Sequence, residues 1–282
     1  MKYEPFAEKL IQALESFEGH WEKPFFTKGS HQNAFSKREY RGLNVLLLTA
    51  TTLEKGYQSK KWATFKQWLE SGNPVKKGEK ATTVVFWKPV KYSVKVEDEQ
   101  VEEKETVVGR MYYVFNAEQT ENYTPEQQPE IEPEVGTVDE FFENTKIPFR
   151  FGDGSRAFYT PALDLVTVPH RTNCTSLTEY VATFAHEMTH ATGHESRLNR
   201  KLSSGFGTEN YAFEELIADI GAGFVAQYLG FDYAFSKNNL AYLKSWLKVF
   251  KDDPKKIVSA CSMAQKAADY LIKRGEIDNV QE

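Results

Sequence analysis

The residues of this chain best suited to chemistry lie at 186–190, His-Glu-Met-Thr-His. Histidines four apart stand one above the other on an α-helix, so His186 and His190 can reach a single ion. Glu187 between them is placed to take a proton from a water beside that ion. The spacing therefore predicts a metal site of the metallopeptidase type, with His186 and His190 as ligands, Glu187 as general base and Zn2+ as the ion. A pair of histidines merely hydrogen-bonded within a helix would need neither the glutamate nor a second acidic helix.

A catalytic zinc needs a third protein ligand and a position left open for water. His194 is one candidate, but Gly193 is expected to end the helix before it, and the metzincin spacing is excluded because its last histidine position is Ser196. The better source is Glu-Glu-Leu-Ile-Ala-Asp at 214–219. Glu215 and Asp219 are one turn apart and two positions off an apolar stripe of Phe213, Ile217, Ile220 and Phe224. This pattern resembles the gluzincin arrangement, which implies Glu215 as metal ligand and Asp219 as the acid that orients a ligand histidine. Glu214 is the rival ligand. Tyr211, His194 and Tyr159 are candidates for stabilising an oxyanion.

The elements that must position these groups follow from periodicity. Ser176–Thr192 reads as a helix with a Ser176/Glu179 capping box and Gly193 just past its end. Its stripe of Leu177, Val181, Phe184, Met188 and Ala191 faces a core, and the two histidines lie off that stripe. Further helices are expected over 138–145, 210–229, 238–251 and 254–274, with a bent strand or hairpin over 157–169. In the first half, helices are expected over 2–18, 43–55 and 60–70, followed by a β-hairpin or meander of 80–96 and 105–116 joined by an acidic tip at 97–103. Residues 118–136 hold three prolines, six glutamates and almost nothing apolar. Such a stretch cannot form a core and reads as a linker. The fold class expected is α+β in two domains: 1–117, a linker at 118–137, and a largely helical domain with a small sheet at 138–282.

Charge divides the chain further. Residues 1–96 carry 17 Lys and Arg against 9 Asp and Glu, and residues 97–150 carry 4 against 15. A basic first third interleaved with aromatic residues is the composition of a surface that meets single-stranded nucleic acid. No apolar run reaches the length needed to span a bilayer, and the first residues do not read as a signal peptide. Cys174 and Cys261 have neither metal nor redox spacing. A cytoplasmic location is expected.

The wording of the chain adds a resemblance. WEKPF (21–25), YRGLN (40–44), WATFKQW (62–68), KKGEK (76–80) and FNAEQ (115–119) resemble the N-terminal domain of ArdC-type antirestriction proteins, which also occurs in TraC-type primases. AFYTPALDLVTVP (157–169), HEMTHATGHESRLNR (186–200) and YAFEELIADIGA (211–222) resemble the zincin-like metallopeptidase domain of the same family. Phe25 stands where the family usually has tryptophan. The resemblance implies a protein of mobile elements, with a single-stranded-DNA-binding domain followed by a zinc site, that protects incoming DNA from restriction. Candidate DNA contacts by chemistry are Arg38, Tyr40, Arg41, Trp62, Lys66, Lys76, Lys77 and Lys80. Two other readings stand beside this one. One is a metallopeptidase whose first domain recognises a protein substrate. The other is a DNA-binding protein whose zinc is structural, which Glu187 argues against because a closed site needs no base.

Overall fold

A computed structural model describes residues 24–95, 101–125, 135–200, 202, 208–234, 253 and 255–276. Among these, residues 31–125 form one compact unit, and residues 24–30 belong with those from 135 onward in a second. The helices expected over 2–18 and 238–251 fall outside the described residues.

The first unit is a four-stranded sheet with two helices. Strands β1 (Gln32–Asn33), β2 (Lys61–Thr64), β3 (Thr82–Lys95) and β4 (Val101–Asn116) lie in the order β1-β2-β4-β3. The β1/β2 pair is parallel, and β4 runs antiparallel to both β2 and β3. Helix α1 (Leu43–Lys55) ends at Gly56, whose φ of 71° is the left-handed cap conformation that glycine adopts without strain. Asn44 acts as a piece of strand. Its side chain donates to the Val85 carbonyl at 2.7 Å and accepts from the Val85 amide at 2.8 Å, so it satisfies that stretch of the β3 edge.

The helix expected over 60–70 is a strand followed by a shorter helix. Trp62 and Ala63 are fully buried on opposite faces of the sheet, opposite Asn116 and Phe115 of β4. Only α2 (Phe65–Glu70) is helical, begun by Thr64 and Gln67 in a capping box. The apolar residues 62, 65 and 68 are spaced as a helix would space them, but pairing with a strand about fifty residues later in the chain decides the local structure. One core joins Tyr40, Leu48, Trp62, Val84 and Val114, and the other face of the sheet holds Ala63, Trp68 and Ala117.

The first unit also runs into the acidic stretch. Residues 117–119 form a 3-10 turn capped by Asn116, Thr120 bridges to Val75, and the Glu121 amide donates to the Pro74 carbonyl at 3.0 Å.

The second unit packs helices on a small sheet. Strands β5 (Phe149–Gly152), β6 (Phe158–Thr160) and β7 (Leu165–Pro169) lie in the order β5-β7-β6, with β5/β7 parallel and β6/β7 antiparallel. The helices are α3 (Val135–Asn144), α4 (Leu177–Ala191), α5 (Glu209–Tyr228) and α6 (Lys255–Gly275). Val181, Phe184, Ala185, Met188 and Ala191 bury the inner face of α4, and Phe184 lies against Phe142 of α3 and Phe149 of β5. Residues 24–30 close the unit from the other end of the sequence. Phe26 and Tyr233 exchange two backbone hydrogen bonds, at 3.0 and 2.7 Å. The Phe26 ring fills the place where a side chain on residue 223 would stand, so α5 carries Gly223 there. Among the described residues no helix is long and apolar enough to cross a membrane.

Candidate functional site

Helices α4 and α5 bring three groups to one point. His186 and His190 present their Nε2 atoms 3.1 Å apart. Glu215 of α5 faces both, with Oε2 3.5 Å from His186 Nε2 and Oε1 3.4 Å from His190 Nε2. A tetrahedral ion with bonds of about 2.0–2.1 Å has ligand atoms about 3.3–3.4 Å apart, so this triangle has the edge lengths of a zinc-type site. These three form a cluster with metal-ligand geometry among the described residues. All are largely buried, and Glu215 is 8% exposed.

The other nitrogen of each ring is held from behind. His186 Nδ1 lies 3.0 Å from Asp219 Oδ1, and His190 Nδ1 lies 3.3 Å from Glu214 Oε1. A carboxylate can only accept, so each Nδ1 carries the proton and each neutral ring turns its Nε2 lone pair toward Glu215. Two lone pairs and a carboxylate converging without a proton call for a cation, and the donor set of two imidazoles and one carboxylate fits a catalytic zinc. Without a cation the rings must take up protons instead. Burial opposes that, but the hydrogen bonds that His186 makes to Asp219 and Glu215 raise its pKa well above the usual value. For His190, burial is outweighed by Glu214 and Glu215, which lift it to about 9. Glu215 is likewise depressed despite its burial by the hydrogen bonds of the two histidines.

Behind these carboxylates stands a further layer. Tyr233, 2% exposed, donates its hydroxyl to Asp219 Oδ1 at 2.8 Å, and Asp219 is fully buried. Arg200 grips Glu214 with Nε to Oε2 at 3.1 Å and Nη2 to Oε1 at 2.7 Å. The same guanidinium donates to the Thr189 carbonyl at 2.7 Å and to Thr192 Oγ1 at 2.8 Å. Gly193 gives it room, since a Cβ there would lie 3.1 Å from Arg200 Nη2 and 2.7 Å from Leu202. Gly193 thus serves a close approach rather than a left-handed cap.

The sequence-derived residues divide accordingly. His186, His190, Glu215 and Asp219 are brought together, and Glu214 turns to the opposite nitrogen of His190. Glu187 sits half-buried on the same helix. His194 lies outside the triangle, with Nδ1 2.8 Å from Ser196 Oγ and 3.7 Å from Asp164 Oδ2. Tyr159 donates to Asp164 Oδ1 at 2.9 Å, and Arg197 clamps the same carboxylate. Both belong to a network that ties the segment after α4 to the β6–β7 turn. Tyr211 lies in the first turn of α5, where its amide donates to the Thr208 cap. The capping box is only half made: Ser176 accepts from the Glu179 amide at 3.0 Å, while the Glu179 carboxylate turns to Thr175. Reasoning from sequence missed Tyr233 and Arg200. Arg200 lies in a quoted motif, whereas nothing local marks Tyr233.

In the first unit two candidates need correction. Trp62 is fully buried and donates Nε1 to His31 Nδ1 at 3.0 Å, and Tyr40 is 7% exposed in the same core. Neither presents a face on which a base can stack. Arg38, Arg41, Lys66, Lys76, Lys77 and Lys80 are exposed. Lys76 donates to the Glu118 carbonyl at 3.0 Å, and Lys66 Nζ lies 3.6 Å from Glu70.

Comparison with known proteins supports both units. Residues 2–115 match a family described as the N-terminal domain of anti-restriction factor ArdC, and residues 136–263 match one described as zincin-like metallopeptidase. The crystal structure of the antirestriction protein ArdC from plasmid R388, metal-free, is similar with a TM-score of 0.81, 36% identity and 99% coverage of both chains. Its Mn(II)-bound form is similar at a TM-score of 0.76 over 100% of both chains. An uncharacterised protein, y4eC of Sinorhizobium fredii, is 31% identical over 95% of this chain and 91% of its own length. A DNA primase TraC of Escherichia coli is 34% identical over 96% of this chain, which spans 20% of that primase.

Proposed function

The chain belongs to the ArdC antirestriction family, and on that premise we propose that it binds single-stranded DNA through its first unit and hydrolyses peptide bonds at a zinc ion in its second. The convergence of His186 Nε2, His190 Nε2 and Glu215 on one point carries the metal reading. The basic excess of residues 1–96 and the kinship with the ArdC N-terminal domain and the TraC primases support the nucleic-acid reading.

A zinc ion held by these three residues supplies Lewis acidity and a water acidified toward neutral pH. Glu187 takes a proton from water and returns it to the leaving amine. Asp219 and Glu214 fix the two imidazoles as Nδ1–H tautomers and make their Nε2 atoms better donors. Tyr233 and Arg200 hold those carboxylates in turn. Arg38, Arg41, Lys66, Lys77 and Lys80 remain as phosphate contacts. The protein acts in the cytoplasm, where incoming DNA meets restriction.

Metal analysis of the full chain tests the site. About one zinc per chain is expected, lost in Glu215→Ala. Glu214→Ala should retain zinc at about 10- to 100-fold lower affinity. Loss of the metal from Glu214→Ala with full retention by Glu215→Ala would exchange the two roles. For the first unit, contact with three or four phosphates should give a log–log salt slope of about −2 to −3.

A further inference from the structure

The correction at Tyr40 and Trp62 leaves the nucleic-acid reading without a stacking platform, and the sheet of the first unit presents one elsewhere. Beyond the cluster of Ala63, Trp68 and Ala117, the same face of the sheet runs out into solvent as a row of large side chains. Along β4, Phe115, Tyr113 and Met111 alternate onto this face, continuing from Ala63, which pairs with Phe115. Trp87 of β3 joins them opposite Gly109. Phe65, the first residue of α2, has its ring centroid 6.1 Å from that of Phe115. Tyr113 is 59% exposed, Phe65 51%, Met111 50% and Trp87 39%.

Exposed aromatics on this scale mark an interaction surface, and the surrounding charge selects the partner. Between His31 and Lys95 the chain carries 13 Lys and Arg against 4 Glu. Lys66 follows Phe65, and Lys91 continues the Trp87 side of β3. Its pair with Glu70, both side chains being mostly exposed, does not remove Lys66 from use. Same-face residues on a strand repeat about every 6.8 Å. A duplex stacks its bases about every 3.4 Å along each strand and hides their faces. An unstacked single strand can lay one base on each ring.

We propose that single-stranded DNA docks on this face, with bases stacked on Phe65, Tyr113 and Trp87 and its phosphates against Lys66 and Lys91. The proposal rests on the reading that the first unit binds single-stranded DNA, and it specifies where. Stacking carries affinity and the lysines carry salt dependence, so the two contributions separate on substitution.

The test titrates fluorescein-labelled oligo-dT, and a duplex of the same length, with the full chain. Tyr113→Ala and Trp87→Ala are each expected to weaken dT binding about 5- to 100-fold with the salt slope unchanged. Lys66→Ala should make the slope shallower by about 0.7. Phe151→Ala, at an equally exposed aromatic of the second unit (42%), should change nothing. Unaltered thermal midpoints would confirm that the exposed substitutions leave the fold intact. If the unsubstituted chain binds dT and both aromatic variants bind it as tightly, the face is wrong and the wider reading stands. If the unsubstituted chain binds no dT at low salt, or prefers the duplex, the wider reading fails and the face with it.

Discussion

The two units use their motif residues in opposite ways. In the second, the recognisable stretch at 186–200 supplies both histidines, Glu187 between them and Arg200, which holds Glu214. In the first, the buried residues of the recognisable stretches are spent on folding, and only exposed ones such as Phe65 and Lys66 are left for a partner. Trp62 is core. Glu118 accepts from the Gln58 and Ser59 amides, and Gln119 donates to Glu79 and to the Lys80 carbonyl. A buried polar site must fix every partner in space, because an unpaired group there is costly. An exposed binding face needs only suitable side chains on a rigid sheet. Recognisable wording therefore marks the candidate site in the second unit and mainly architecture in the first.

The sharpest way to break that contrast is at Glu187. Glu187→Gln should retain its zinc and its DNA affinity while peptide hydrolysis falls about 10²- to 10⁴-fold. Loss of metal from this variant would show that Glu187 is part of the scaffold. Protection of DNA from restriction in cells then tests whether the proposed hydrolysis serves that role, since full protection by the variant would make it dispensable.

Trp62→Ala tests the other side of the contrast. Emptying a fully buried indole site should cost about 3–5 kcal/mol in denaturant unfolding of the first unit, with zinc content unchanged. A Trp62→Ala chain of normal stability that loses only DNA affinity would make Trp62 a DNA contact and not a core residue.

A smaller effect is expected at Tyr233. Tyr233→Phe removes the hydroxyl bonded to Asp219 and should lower zinc affinity about tenfold, read by chelator competition. With cobalt in place of zinc its visible spectrum should shift, which a purely structural change elsewhere would not cause.

The mildest test uses pH. His31 is neutral inside the first unit, bonded to Trp62 and Thr49, and burial followed by the nearby Lys60 charge lowers its pKa well below the usual value. In the unfolded chain a histidine binds its proton near pH 6.5. Stability of the first unit should therefore be full above that pH and fall as pH drops below it, by at most about 1.4 kcal/mol per unit. Urea unfolding at pH 7.5 and 5.5 measures this, and His31→Gln should flatten the difference.

Sequence made part of this visible. The helix over 43–55, the α4 and α5 helices and the long hairpin follow from local period and capping, which act over a few residues. The stretch 60–70 did not, because β2 exists through its pairing with the distant strands β1 and β4. Adjacent Glu214 and Glu215 both looked fit to bind metal, and both do face a histidine. Which nitrogen each meets depends on how α5 lies across α4, and no spacing within α5 encodes that. Tyr233 was hidden for a stronger reason, since its placement depends on Phe26, near the other end of the chain.

That pairing has a consequence in time. The Lys28 amide and Asp232 are joined across 204 residues, and Gln227 and Thr27 across 200. At synthesis rates of about 5–20 residues per second, the segment at 24–30 leaves the ribosome about 10–40 s before its partners exist. The described residues of the first unit, 31–125, are made within that interval and can fold while the second unit waits. Tyr233, and through it Asp219 and His186, can be set only after residue 233 has been made. A chain cut short by a stalled ribosome before residue 233 would then display its first unit with the histidine–carboxylate cluster unfinished.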